Sequence, residues 1–370
     1  MCAEDMEQDN HQIILEEALP PLLAWYEKNR RILPWREDPT PYHVWVSEIM
    51  LQQTRVEAVK GYYTRFMETL PTVQSLAEAE EDILNKLWEG LGYYSRVRNL
   101  GKAARLVEEQ YGGIIPDVES ELLKLSGIGV YTAAAIASIA FGKNAAAVDG
   151  NVLRVITRLL ADDTDIGEDT FKKRVKALLE NVYESITEHQ HHTSVAGRLN
   201  QAFMDLGATV CLPNSQPKCD LCPMVSYCKA HAQGKELTYP CKAPKKERVI
   251  EKKTILLVRK EGKILLHKRP PQGLLAGLYE FPNIDGRCSE KKVLLYLKEK
   301  GILAVRIQKL SDAKHIFTHK EWHMTGYEVR MDEISEEGFQ AEEGYFWVNR
   351  EELQNKYAMP SAFGKYINLV

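Results

Sequence analysis

From about Ile13 to Tyr227 the apolar residues recur mostly at helical spacing, and turn signals such as YGGIIP and SGIGV punctuate the segments. This period predicts an all-helical half. The stretch KELTYPCKAPKKERVIEKK that follows is polar and rich in lysine, with two prolines and little periodicity, and it reads as a linker. Beyond it the pattern changes. TILLVRK, a turn at Glu261 and Gly262, and KILLHKR predict a β-hairpin, and GYEVRM and GYFWVNR predict further strands. The expected organisation is an acidic tail over 1–10, a helical domain over 11–228, a basic linker over 229–250 and an α+β domain over 251–370. No internal repeat is visible.

A length of 370 residues fits two or three domains, and an apolar content of 44% is ample for their cores. The formal net charge of -4 argues against a nucleic-acid partner only until its distribution is considered. Residues 1–19 hold six acids and no Lys or Arg, and residues 331–352 hold eight acids against Arg350 alone, whereas residues 235–269 carry twelve Lys or Arg and four acids. Two acidic margins thus enclose a basic interior that suits a polyanion. The amino terminus lacks a basic region followed by an apolar stretch, and the longest apolar run, 133–141, is far short of a membrane span. A cytoplasmic protein is expected, beside the nucleoid if bacterial, with no membrane partner.

Four of the seven cysteines crowd into residues 211–228 as Cys211, Cys219, Cys222 and Cys228, spaced C-x7-C-x2-C-x5-C. Thiols this close in a reducing compartment suit a structural zinc or an iron-sulfur cluster, and the spacing does not choose between them. Cys2, Cys241 and Cys288 stand apart as ordinary thiols. EHQHH, with His189, His191 and His192, reads as a polar loop.

LSGIGVYTAAAIASIA places Gly127 and Gly129 in a tight turn that opens an alanine-rich helix, where free amides can hold a phosphate. Twenty residues after Gly129 comes Asp149, ahead of a helix carrying Arg154 and Arg158. An aspartate there is most often an N-cap. Glu48 lies four residues after Val44 and three before Leu51, so it shares a helical face with apolar side chains, and a carboxyl so buried keeps its proton to higher pH.

A hairpin followed by an aspartate, with four cysteines farther on, resembles the helix-hairpin-helix DNA glycosylases that carry an iron-sulfur cluster. Within them, LPWR at 33–36, SEIMLQQTR at 47–55 and GLGYYSRVRNL at 90–100 resemble the adenine DNA glycosylases, the MutY family. The likeness spans roughly residues 25–228, with the hairpin at about 122–140 and the cluster loop at 211–228, and the following domain resembles the MutT-like domain of the same family. The first cysteine gap is seven residues where the family usually has six.

The resemblance implies a multidomain fold, an all-α helix-hairpin-helix domain with a 4Fe-4S segment and an α+β Nudix-like domain. It also implies a monomeric enzyme that removes adenine opposite 8-oxoguanine or G from duplex DNA. By the same resemblance Glu48 protonates the base at N7, ionised Asp149 stabilises the oxocarbenium-like sugar, and Asn151 orients that aspartate. Tyr131 stands where strand-cutting relatives carry a Schiff-base lysine, which implies base removal by water without strand cleavage. Arg31, Trp35 and Leu51 would line the adenine pocket, and Gln52, Gln53 and Tyr93 would enter the helix beside the lesion. Arg55, Arg96, Arg98 and Lys102 would lie near phosphates.

GLLAGLYEFPN resembles the start of a Nudix motif, but RCSEKKVLLYLKEKG lacks the acidic cluster that holds Mg2+, so this domain is expected to bind without hydrolysing. The family's Phe-Ser-His loop, which recognises 8-oxoguanine, is matched by Phe317, Thr318 and His319. The competing readings are a pyrimidine or thymine-mismatch glycosylase on the same scaffold, a non-catalytic zinc-dependent DNA-binding protein and, last, a Nudix hydrolase.

Overall fold

The computed structural model describes residues 3–190, 195–244, 247–331 and 344–370, with side chains outside 3–8 and 188–190. His191, His192 and most of the carboxy-terminal acidic stretch lie outside what is described, while the backbone of 189–190, expected in a polar loop, ends a helix instead. The chain forms two compact units, one of residues up to 78 with 102–244, the other of 79–101 with 245–370.

The helices are α1 (Ala3–Asn29), α2 (Pro34–Glu37), α3 (Pro41–Leu51), α4 (Val56–Thr69), α5 (Val73–Glu78), α6 (Glu81–Leu87), α7 (Ser95–Tyr111), α8 (Glu119–Leu122), α9 (Val130–Phe141), α10 (Gly150–Leu160), α11 (Asp169–Gln190), α12 (Ala196–Thr209) and α13 (Lys229–Ala232). In the first unit α1, α10, α11 and α12 bury a common core that includes Leu19, Leu22, Val155, Leu159, Tyr183 and Phe203. Alanines in α9 let α12 come close: a Cβ on Gly197 would stand 2.5 Å from the Ser138 carbonyl oxygen. Buried Asn200 on α12 donates to Ser138 Oγ and to the Ala145 carbonyl, both at 2.8 Å, and accepts from the Ala147 amide at 3.1 Å. The segment leading to Asp149 is thereby pinned to the helical core.

The second unit is built on an eight-stranded sheet of β1 (Val249–Lys260), β2 (Lys263–Lys268), β3 (Tyr279–Glu280), β4 (Asn283–Asp285), β5 (Ala304–Lys309), β6 (Ala313–Ile316), β7 (Lys320–Met331) and β8 (Tyr345–Val348). The path runs β3-β2-β1-β7-β5, with β4 on β1, β6 on β7 and β8 on β2, and β1 pairs in parallel with β7 from Val249↔Lys320 to Arg259↔Arg330. The hairpin turn at Glu261 and Gly262 takes two positive φ angles, 49° and 74°, as a two-residue primed turn requires. Apolar side chains of β1 alternate between two cores. Ile255 and Leu257 pack with Trp322, Phe363 and Tyr366, and Leu256 and Val258 pack with Val293, Leu297 and Tyr327. Helices cover both faces, α14 (Glu290–Glu299) on one and α15 (Arg350–Asn355) with α16 (Gly364–Ile367) on the other, so the middle of β1, Ile255 to Val258, reads as a continuous apolar run.

The structure corrects three expected boundaries. Residues 79–101 group with the sheet because Asp82 accepts from Lys268 Nζ at 3.0 Å and from Tyr279 Oη at 2.8 Å, and Glu89 accepts the Met359 amide at 2.8 Å. The linker is shorter than 229–250, since α13 belongs to the helical unit and the Ala243 amide donates to Asp165 at 2.9 Å. The acidic tail is helical from residue 3 as part of α1. No described helix is long and apolar enough to cross a membrane.

Candidate active site

Gly127, at φ 82°, makes the hairpin turn, and Gly129 is the N-cap residue of α9. This start of α9 carries Tyr131 inward, and α3 carries Glu48 to meet it: the Tyr131 hydroxyl donates to Glu48 Oε2 at 2.8 Å. Glu48 is 5% exposed. Burial pushes its carboxyl up to about 7, with the Tyr131 hydrogen bond and the charge of Arg36 opposing the rise and Asp149 adding to it. Burial likewise lifts the Tyr131 hydroxyl well above its ordinary value, so it stays a donor.

Asp149 caps α10 and faces the same space. Its Oδ1 accepts the amides of Asn151 at 2.8 Å and Val152 at 2.9 Å, and its Oδ2 accepts Asn151 Nδ2 at 2.8 Å. Burial raises this carboxyl as well, but the three N–H donors restrain the rise because each favours the charged form. Glu48 accepts one donor and Asp149 three, so the hydrogen bonds favour the charged form more on Asp149 than on Glu48. The side chain that caps α10 is also the one that lines the cavity with Glu48.

Asn151 is held in turn. Its Oδ1 accepts from Arg154 Nη2 at 3.0 Å, while Arg154 also donates to the carbonyls of Gly207 at 2.8 Å and Cys211 at 3.0 Å. A continuous hydrogen-bonded path therefore joins the cysteine loop to Asp149.

Glu48 and Asp149 line a cavity of about 160 Å³ together with Arg31, Trp35, Leu51, Tyr131 and Asn151. A groove at its mouth is lined by Gln52, Gln53, Thr54 and Arg55. Gln52 Nε2 donates to Thr132 Oγ1 at 3.3 Å, whereas Gln53 takes a φ of 56°, a left-handed conformation that a non-glycine residue adopts at a cost. The sequence reading did not single out Arg36, Gln201 and Met204, which share the cavity wall. Arg36 was visible within LPWR; Gln201 and Met204 lie on α12, far along the chain.

In the second unit Tyr93 also has a positive φ, 49°, and its hydroxyl lies 2.7 Å from Thr318 Oγ1. Phe317 packs edge-on against Trp322, ring centroids 4.9 Å apart, which leaves Thr318 and His319 at the exposed tip. Arg98 donates to the Ala276 carbonyl, and the Arg96 guanidinium is buried with donors to the carbonyls of Leu91 and Gly92. Buried Arg96 is structural, which corrects its expected place beside phosphates.

Cys211, Cys219, Cys222 and Cys228 line a single small cavity whose other walls include Leu159, Leu206, Val210 and Met224. All four are free thiols, and burial pushes Cys219 up to about 11 and Cys222 up to about 12. Four sulfurs facing one apolar space become thiolates together only around a cationic centre, so the donor set fits a bound metal group. Arg158 Nη1 donates to Cys211 Sγ at 3.2 Å, and His231 and Glu236 lie beside Cys219.

Residues 46–181 match the HhH-GPD superfamily of base excision DNA repair proteins, and residues 254–369 match the NUDIX domain. Among solved structures, that of a thermostable thymine-DNA glycosylase aligns with a TM-score of 0.51 at 27% identity over 63% of this chain and 100% of its own. Endonuclease III in a non-covalent DNA complex aligns with a TM-score of 0.50 at 22% identity, covering 60% of this chain and 97% of that one, a likeness of fold alone. Hairpin, capped aspartate and buried glutamate on this scaffold define a DNA glycosylase of base excision repair. The adenine DNA glycosylase of Mus musculus is 36% identical over 93% of this chain and 77% of its own length. That of Buchnera aphidicola subsp. Baizongia pistaciae is 34% identical over 85% and 86%. The chain belongs to the adenine DNA glycosylase family.

Proposed function

We propose that this enzyme excises adenine paired with 8-oxoguanine, or with G, from duplex DNA and leaves an abasic site. The observation that carries the reading is the pair of carboxyls in one cavity, Glu48 with its affinity for protons raised to about 7 and Asp149 under three N–H donors. Rotated out of the duplex, adenine enters the cavity beside Trp35, Leu51 and Arg31. Glu48 donates its proton to N7, which turns the base into a better leaving group, and the glycosidic electrons leave with it. Positive charge then develops on the sugar against Asp149, and water bonds to the sugar carbon as its proton passes to the carboxylate left on Glu48. Tyr131 donates to Glu48 and carries no amine, which supports hydrolysis without strand cleavage.

Gln53 and Tyr93 occupy the gap in the duplex, a role their strained backbone supports. Arg55 and the amides of the turn at Gly127 and Gly129 hold phosphates. Phe317, Thr318 and His319, with Tyr93 bonded to Thr318, recognise 8-oxoguanine. Cys211, Cys219, Cys222 and Cys228 hold a 4Fe-4S cluster. When bound, the cluster is a structural tie for the loop that supplies the Cys211 carbonyl to Arg154.

Single-turnover excision from duplexes carrying A opposite 8-oxoguanine, A opposite G and A opposite T tests the reading. Base release is expected in the first two and not in the third, and Asp149→Asn abolishes it with duplex binding retained. Equal release from all three duplexes, or an undiminished Asp149→Asn rate, overturns it.

A further inference from the structure

Asp205 on α12 is 1% exposed and belongs to no part of the chemistry derived above. Its carboxylate accepts Arg31 through the backbone amide at 3.0 Å and Nε at 2.7 Å, and Arg36 through Nη1 at 2.8 Å and Nη2 at 3.0 Å. The ion pairs with Arg31 and Arg36 outweigh burial and hold this carboxyl below its usual range. Both arginines line the cavity that contains Glu48 and Asp149. The Arg36 cation favours the ionised, inactive form of Glu48, and the buried Asp205 anion that pairs with Arg36 and Arg31 offsets part of the positive charge at that wall.

We propose that Asp205 is a positioning residue for base excision: it locks Arg31 and Arg36 into the cavity wall and screens their charge from Glu48, so that the glutamate keeps its proton. This inference rests on Glu48 being the acid, as read above. The groups that face Glu48 are Tyr131 from α9, Asp149 at the head of α10 and Arg36 from α2, with Arg55 at the groove mouth, Arg31 also in the cavity wall, and Asp205 bonded to both Arg31 and Arg36. Of these, Asp205 is the anion bonded to the arginines.

The test is the pH profile of single-turnover adenine excision for the full chain and its variants. The protonated form of Glu48 is the active one, so the rate falls as pH rises through its pKa. In Asp205→Asn the unscreened arginines move this alkaline limb down by about one pH unit. Asp205→Glu keeps the charge and restores the limb. Arg36→Met removes the cation and moves the limb upward, which keeps the question open to test should Asp205→Asn fail to fold. A uniform rate loss with the limb unmoved in both Asp205→Asn and Arg36→Met would reduce Asp205 to a fold-stabilising ion pair and overturn the proposal. Failure of the underlying reading looks different: the unaltered enzyme would then show no alkaline limb, or Glu48→Gln would retain excision.

Discussion

Replacing Asn151 by Leu removes one of the three donors to Asp149 while keeping the same branching and number of heavy atoms at a helical position. Asp149 Oδ2 loses its bond at 2.8 Å, and Oδ1 keeps the amides of Asn151 and Val152. Arg154 loses one acceptor but retains the carbonyls of Gly207 and Cys211, so the fold should survive. A hydrogen bond to a charged group contributes about 1.5–3 kcal/mol, which at 1.36 kcal/mol per unit raises the Asp149 pKa by roughly 1–2 units. The ionised form is the active one, so the acid limb of the rate profile moves upward by that amount. If the same bond acts fully on the charge developing in the transition state, excision on the plateau slows roughly 10- to 150-fold. Single-turnover rates between pH 5 and 9, with thermal melting as a check on folding, measure both effects. Rates within twofold of the parent with an unmoved acid limb would refute the claim that Asn151 holds Asp149 in its charged state.

Gly197→Ala should destabilise the helical unit by roughly 1–3 kcal/mol, since the new Cβ meets the Ser138 oxygen at 2.5 Å, and denaturant titration reads the loss. Glu48→Gln should abolish excision yet raise stability in alkali. The folded pKa of about 7 exceeds the ordinary glutamate value of 4.5, so stability contributed by the proton is lost as pH rises from 4.5 to 7, about 3 kcal/mol in all, and unfolding at pH 8 against pH 5 shows whether the variant escapes that loss. Thr318→Val removes the partner of the Tyr93 hydroxyl, and the preference for A opposite 8-oxoguanine over A opposite G should fall about fivefold in competition assays. Cys222→Ser should lower the iron and sulfide content of the purified protein together with its melting temperature, because it removes one of the four sulfurs proposed to hold the cluster.

Much of this architecture is legible locally. The switch from helical spacing to the run TILLVRK marks the change of unit, and the two-residue turn at Glu261 and Gly262 fixes the hairpin register. Glu48 betrays its burial by sharing a helix face with Val44 and Leu51, and Asp149 announces its cap. What was illegible is carried by pairs far apart in the chain. Asp82 gives no sign of its partners, 186 and 197 residues away, so the grouping of residues 79–101 with the sheet was missed. Asp205 reads as an ordinary helical acid, because the arginines that explain it lie 169 and 174 residues earlier. Arg96 reads as a surface cation, and only its burial against the Leu91 and Gly92 carbonyls shows otherwise. Periodicity reports which way a side chain faces and says nothing of what another segment brings to it.

The central claim is a division of protons between two buried carboxyls, and infrared difference spectra of the enzyme against Glu48→Gln and Asp149→Asn read it without turnover. At pH 6 the account predicts a protonated carboxyl band that Glu48→Gln removes and that titrates away near pH 7, with the Asp149 signal ionised throughout. A Glu48 band already ionised at pH 5, or a proton found on Asp149 at neutral pH, would contradict it.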